Sequence, residues 1–448
     1  MRHLIALCLA ALTLNALAAP AKPRPAAEAP PTGPLPRTVL PQHYDLRLKI
    51  DPAQEGFEGE VSIRVQLTKA ARQLWLHGKD LEVLDAALLP AQGDAVPAIY
   101  KQANSEGVAQ LSWDKALPPQ TLSLRLRYRA KFNPQLEGLY KNILGGDAYA
   151  MTQMEPVSAR YAFPCFDEPA FKTPFDLQLT VPQALVAVAN SAQSGETAAD
   201  GWKTLSFATT PPLPTYLVAF AVGPWDVVEG APIPANELRA TPVPLRALGP
   251  KGSAAKLLYA LNNTAEAFVA LERYFGQPYP FGKLDLLAAP DFSAGAMENA
   301  GLITYRDSLL LLDPSSPVRA RRTFYGVHVH EMAHQWFGNL VTMSWWDDLW
   351  LNEAFATWMA TKITSQLRPE FHADLARLSA TLTVMAEDSL TTARRIRNPI
   401  HHNGDIEQAF DGITYDKGAA VLSMFEHWIG AEAFRDGIRH YMQAHLRV

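Results

Sequence analysis

The sequence predicts a multidomain chain: an N-terminal all-β domain followed by an α/β, mainly helical, catalytic domain. Three observations carry that expectation. Apolar and polar residues alternate with period two through the first half of the chain, the pattern of half-buried antiparallel strands. From Ala254 onward the apolar spacing turns helical. A Pro-rich stretch around 242–250 punctuates the change. The expected divisions are residues 1–18, 19–36, 37–240 and 241–448.

Residues 1–18 read as a secretory signal peptide. Arg2 and His3 precede an apolar run, Leu4–Leu14, and Ala16-Leu17-Ala18 forms an A-x-A cleavage site. The run is shorter than the roughly 20 residues that span a bilayer, so no transmembrane anchor is expected. Once it is removed, Cys165 is the one cysteine left and no intrachain disulfide can form. Export to a bacterial periplasm or beyond the cell fits both features. The composition, 48% hydrophobic and 19% charged with a net charge of −5, is that of a soluble globular protein. No basic stripe is present, which excludes nucleic acid as a partner.

Residues 20–36 hold seven prolines, an extended tether without a core of its own. Strands follow at Tyr44–Ile50, Val61–Val65 and Leu122–Tyr128, with others expected at Phe175–Val181 and Tyr216–Val222. Helix is expected over 254–275, then a strand at Leu284–Ala288. Ser316-Pro317 and Gly338 bracket a helix over 317–337, Leu340–Met343 reads as a short strand, and Asp347-Asp348 open a helix running to about Gln366. The last segment, 431–448, is an amphipathic helix with Phe434, Ile438, Tyr441 and Met442 on its apolar stripe.

The chemistry concentrates in His330-Glu331-Met332-Ala333-His334 and in Glu353, which follows His334 after eighteen intervening residues. Two His four apart on a helix share one face, with Cβ atoms roughly 5–6 Å apart. Their imidazoles can meet one Zn²⁺ at about 2.0–2.1 Å each. Glu331 lies beside such a metal, where a carboxylate can take a proton from a zinc-bound water. Helix, turn and helix return Glu353 to the His pair as third ligand. Two His and one Glu leave a fourth position open, the arrangement of a catalytic zinc.

This stretch resembles the zinc segment of the M1 aminopeptidases, gluzincin metallopeptidases. Three more motifs resemble the same family in the same order. They are Gln153-Met154-Glu155-Pro156 with Phe163-Pro164-Cys165-Phe166-Asp167-Glu168-Pro169, then Gly295-Ala296-Met297-Glu298-Asn299, then Ile413-Thr414-Tyr415-Asp416-Lys417-Gly418. The resemblance covers about residues 37–448. Ala354 departs from the family's usual Gly, and Asn398 from a frequent His. The resemblance implies a saddle-like β domain, a thermolysin-like catalytic domain, one zinc ion, and peptide substrates with a free N-terminus. It gives Glu298 and Glu155 the substrate's ammonium, a role that charge-assisted hydrogen bonds suit. Gln153 is implied to line the first side-chain pocket. Gly295, Ala296, Met297 and Asn299 complete the substrate-binding set, the Gly295-Ala296 backbone pairing with substrate as a strand. Tyr415 is implied to donate to the tetrahedral oxyanion. The family continues with further helices, so 241–448 is expected to be an incomplete catalytic domain.

A lipid-epoxide hydrolase sharing this zinc site and a non-catalytic peptide-binding homologue are the competing readings. Ala296 in place of a second Gly disfavours the first, and the complete set of His330, Glu331, His334, Glu353 and Tyr415 disfavours the second. Neither the preferred N-terminal residue nor the oligomeric state follows from the sequence. His401-His402 read as a polar loop, and Trp345, Trp346 and Trp350 as core packing. Arg394, Arg395 and Arg397 read as a solvated face, one of which could meet a substrate carboxylate.

Overall fold

The computed structural model describes residues 29–446, so the expected signal peptide lies outside the described residues. The alternating segments become the centre of an eight-stranded sheet. Its order is Gln193–Ala199, Trp202–Phe207, Phe175–Pro182, Val39–Lys49, Gly56–Leu67, Gln120–Lys131, Glu82–Pro90 and Val96–Pro97. Period two sends Tyr44, Leu46 and Leu48, then Val61, Ile63 and Val65, then Leu122, Leu124 and Leu126 to one face, where all are buried. Two smaller sheets complete this half. One of three strands joins Ala71–His77, Val108–Leu117 and Ile99–Gln102; one of four joins Val186–Ala189, Phe220–Gly223, Asp147–Gln153 and Gly138–Leu144.

A fourth, mixed sheet runs Asp226–Glu229, Leu245–Gly249, Leu284–Ala289, Leu302–Arg306, Ala296–Met297. Its first strand precedes residue 240, so the change of sheet falls ahead of that position. Around it pack α1 (Ala254–Asn262), α2 (Ala265–Phe275), α3 (Asp307–Leu310), α4 (Val318–His334), α5 (Leu349–Leu367), α6 (Ala373–Asp388), α7 (Gly418–Ile429) and α8 (Ala431–His445). Among the described residues no helix is long and apolar enough to cross a membrane.

Several expectations are corrected. The end of the tether is docked: Leu35 is buried in the core, and Thr32 O accepts the Asn403 N–H at 2.9 Å. Only the second half of 216–222 is a strand, because Thr215–Leu217 tightens into a 3₁₀ turn. The helical stretch 254–275 breaks at Asn263-Thr264, where the Thr264 hydroxyl bonds back to Ala260 O at 2.8 Å. Helix α4 ends at His334, with Gln335 and Trp336 donating to carbonyls three residues back. Leu340–Met343 is no strand; a single bridge joins Phe337 and Val341 in the turn that follows. Arg394 is no solvated residue. It donates to Asp411 Oδ2 at 2.8 Å and to Thr414 Oγ1 at 2.6 Å, splinting the approach to Tyr415. Arg397 is exposed, as expected, and from the surface reaches Asp347 at 2.9 Å and Asp348 at 2.7 Å at the start of α5.

Candidate active site

Helices α4 and α5 pack together, which brings residues four apart on one to face a residue of the other. His330 Nε2 lies 3.0 Å from His334 Nε2 and 3.1 Å from Glu353 Oε2. The far nitrogens fix how the rings point. His334 Nδ1 faces two acceptors, Asn352 Oδ1 at 2.8 Å and Phe337 O at 3.2 Å, so it carries the proton and leaves the Nε2 lone pair facing inward. His330 Nδ1 lies 3.4 Å from Thr357 Oγ1. Gly338, at φ +132°, is indispensable here, since a Cβ would come within 2.1 Å of Asn352 Oδ1.

Two imidazole nitrogens and a carboxylate oxygen, all within 4.8 Å of one another, suit a divalent cation. The electrostatics favour positive charge at the same spot. Burial opposes charge on His334, yet Glu298 and Glu353 push its pKa up to about 10. Burial would also raise Glu353, but His334 and His330 hold it well below the usual carboxylate range. Glu331 is buried beside this centre. Burial, with Glu298 and Glu353 adding to it against His334, raises its pKa well above the ordinary value.

The β half supplies the facing wall. The strand Asp147–Gln153 delivers Gln153, with Glu155 two residues on. Glu155, Glu298 and Glu353 bring carboxylate oxygens within 4.8 Å of one another. Glu155 Oε1 is buried without a hydrogen-bond partner, and burial together with Glu298 and Glu353 raises its pKa well above the usual range. Glu298 Oε1 accepts from Asn352 Nδ2 at 3.1 Å. Its backbone carbonyl is held by Gln335 Nε2 at 2.9 Å and Asn339 Nδ2 at 2.8 Å.

A cavity of about 980 Å³ opens onto these groups. Gln153, Glu155, Gly295, Ala296, Glu298, His330, Glu331, Glu353 and Tyr415 all line it. A Cβ at Gly295 would touch only Leu309 Cδ1, at 3.7 Å, so the fold itself does not require that glycine. Met297 and Asn299 sit behind the wall instead. Met297 Sδ meets Gln153 Nε2 at 3.7 Å, and Asn299 Oδ1 accepts from Thr304 Oγ1 at 3.1 Å.

Tyr415 stands in a π-helical turn, Ile413–Lys417, a local widening often found at functional positions. Its ring stacks 6.3 Å from that of His330. Burial, then Glu353, Glu155 and Glu298, raise its pKa, which keeps the hydroxyl a donor. A Cβ on Gly418 would meet the Ala354 Cβ at 2.6 Å, so this glycine lets the turn press on α5. Sequence reasoning missed Asn352, Thr357, Gln335 and Asn339. The one signal for Asn352 was its place next to Glu353.

Two family models match the chain: the peptidase M1 N-terminal domain over residues 40–217 and the peptidase family M1 domain over 259–447. Aminopeptidase M1-D of Oryza sativa subsp. japonica is 39% identical over 415 residues, covering 91% of this chain and 46% of that protein. Aminopeptidase M1 of Arabidopsis thaliana is 36% identical over 423 residues, 92% of this chain and 47% of its own length. Endoplasmic reticulum aminopeptidase 2 of Bos taurus is 36% identical over 427 residues, 91% and 43% respectively. The chain thus spans about half the length of the curated relatives it matches. With both M1 models matched in order over most of its length, the chain belongs to peptidase family M1.

Proposed function

We propose that the chain is the catalytic portion of a zinc aminopeptidase that removes the first residue from peptides with a free N-terminus. One observation carries the reading: the metal-fitting triad shares one cavity with Glu298 and with Glu155, whose Oε1 has no partner. His330, His334 and Glu353 would hold the metal. A zinc ion there supplies Lewis acidity towards water and the peptide carbonyl.

The chain's own residues do the rest. Glu155 and Glu298 anchor the substrate's ammonium, which fixes the first peptide bond over the triad. Glu331, buried and with its pKa raised, is poised to take a proton from the attacking water and to return it to the leaving amine. The Tyr415 hydroxyl donates to the oxyanion that develops on the carbonyl. The Gly295-Ala296 backbone, already strand-like through Ala296–Met297, offers an edge to extended substrate. Export is part of this reading and rests on residues 1–18.

The test compares a peptide with its N-acetylated form, with and without chelator. The free peptide should be cut one residue at a time, chelation should stop it, and acetylation should lower kcat/KM at least about 100-fold, since it leaves two buried carboxylates without a cation. Equal cutting of both forms would turn the reading to an endopeptidase.

A further inference from the structure

Helix α6 lines the cavity with Ala373, Ala376, Arg377, Ala380 and Thr381, one face of the helix. Four of these side chains are small, and one is a long cation. Among the described residues Arg377 has no ion pair: its Nη2 is buried without a hydrogen bond, and no carboxylate there lies within 4.0 Å of it. Asp416, on the same cavity wall, favours its charge without reaching it. Burial lowers the Arg377 pKa.

A partly buried guanidinium whose Nη2 lacks an acceptor is costly, and the group that best answers it is a carboxylate bound through two parallel N–H···O contacts. The other arginines do not compete. Arg394 and Arg397 are committed to Asp411, Asp347 and Asp348. Arg322 lines the cavity but is exposed to water, where an ion pair contributes little.

The length of the cavity bears on which part of a substrate Arg377 can meet. On α5 the wall runs from Glu353 through Thr357 and Thr361 to Thr364, a span of roughly 16 Å at 1.5 Å per residue. An extended peptide covers that with about five residues. With the substrate's amine held at Glu155 and Glu298, one residue from the reacting carbonyl, the rest of the cavity belongs to the leaving side.

We propose that Arg377 is a specificity-determining residue that receives a substrate carboxylate on the leaving side of the scissile bond. The carboxylate is either the C-terminus of a peptide a few residues long or an acidic side chain. The inference rests on the aminopeptidase reading above.

Kinetics on paired peptides test it. One pair is Leu-Gly-Gly as free acid and as C-terminal amide; the other is a longer amidated peptide with Asp or Asn at its third position. The native protein should prefer the carboxylate member of at least one pair by about tenfold in kcat/KM, carried by KM. The pair that responds identifies the source. Arg377→Gln should bring that ratio near one, and Arg377→Lys should restore part of it. Each ratio comes from one preparation, so lost folding or lost metal lowers both members alike. Dissociation constants for the same pairs on metal-loaded Glu331→Gln protein should show the same tenfold preference without turnover. A flat ratio for both pairs in the native protein, or a ratio that survives Arg377→Gln, overturns the role of Arg377 and leaves the aminopeptidase reading standing. Failure to cleave any free-amine peptide overturns both.

Discussion

Two of the buried charge clusters among the described residues are built in opposite ways. In the β half, Arg160 is buried against Asp167, donating from Nε to Oδ2 at 2.9 Å and from Nη1 to Glu106 O at 2.6 Å. Asp167 also accepts from Thr215 Oγ1 at 2.6 Å, and its own N–H donates to His77 Nδ1 at 3.1 Å. Charge balances charge. In the cavity, Glu155, Glu298, Glu331 and Glu353 crowd against two histidines, and Glu155 Oε1 has no partner. Negative charge is in excess, and the missing partners are cations. A buried charge with all its partners holds the fold together; one left short marks where a ligand supplies the partner.

The largest expected effect tests the under-partnered cluster. Glu331→Gln should keep the metal and lose about 10²–10⁴-fold in kcat, because an amide cannot accept the proton. His330→Ala, His334→Ala and Glu353→Ala should lose the metal itself. Metal content and rate measured on the same preparations separate the two classes, and near-normal turnover by Glu331→Gln would remove it from its assigned role.

Sequence motifs pointed to both clusters but could not say which was which. Glu155 and Asp167 stand twelve residues apart in one signature region, and nothing in their spacing tells a ligand-binding carboxylate from a structural one. The His pair was legible because both ligands ride one helix, where separation in sequence fixes direction in space. The strands were legible for the same reason, since period two is local. Asn352, Arg377 and the docking of Leu35 were not, because each depends on a contact between segments far apart in the chain. Helix ends failed too: α4 stops at His334 because the following turn folds back to place Asn352, a tertiary demand invisible in local sequence.

The saturated cluster should respond to mutation through stability. Arg160→Ala leaves Asp167 buried without its cation and should cost about 3–5 kcal/mol of unfolding free energy. Whatever protein stays folded should keep its metal and its kcat. Denaturant titration beside active-site metal counting checks this, and a metal-depleted but fully stable Arg160→Ala protein would erase the distinction between the clusters.

Glu168 is the intermediate case. It accepts the Leu35 N–H and pairs with Arg37 at 3.0 Å, yet burial lifts its pKa from 4.5 to about 7 against both. The folded state therefore binds more protons than the unfolded chain between those two values. This contribution is fully present below about pH 4.5 and is lost as pH rises towards 7, a slope of at most about 1.4 kcal/mol per pH unit. Glu168→Gln should flatten that part of the stability–pH curve. An unchanged slope would mean that Glu168 is as fully partnered as Asp167.

The smallest effect is the sharpest. If the cavity carboxylates are held against their own repulsion, removing one should stabilise the metal-free protein while harming function. Glu155 is the one to choose, because its Oε1 has no partner and because burial, Glu298 and Glu353 all raise its pKa. Its raised pKa means that ionisation costs stability as pH climbs above about 4.5, so the gain from Glu155→Gln should be absent in acid and present at pH 8. About 1–2 kcal/mol is the expected size, the usual scale when a functional strain is relieved. The same variant should weaken binding of free-amine peptides, because half of the ammonium's anchor is gone. Thermal melts of metal-free native and variant protein at pH 5 and pH 8 read the first effect, and KM reads the second. A variant that loses affinity and gains no stability at pH 8 would mean that the cavity, like the Arg160 cluster, is already electrostatically satisfied without its ligand.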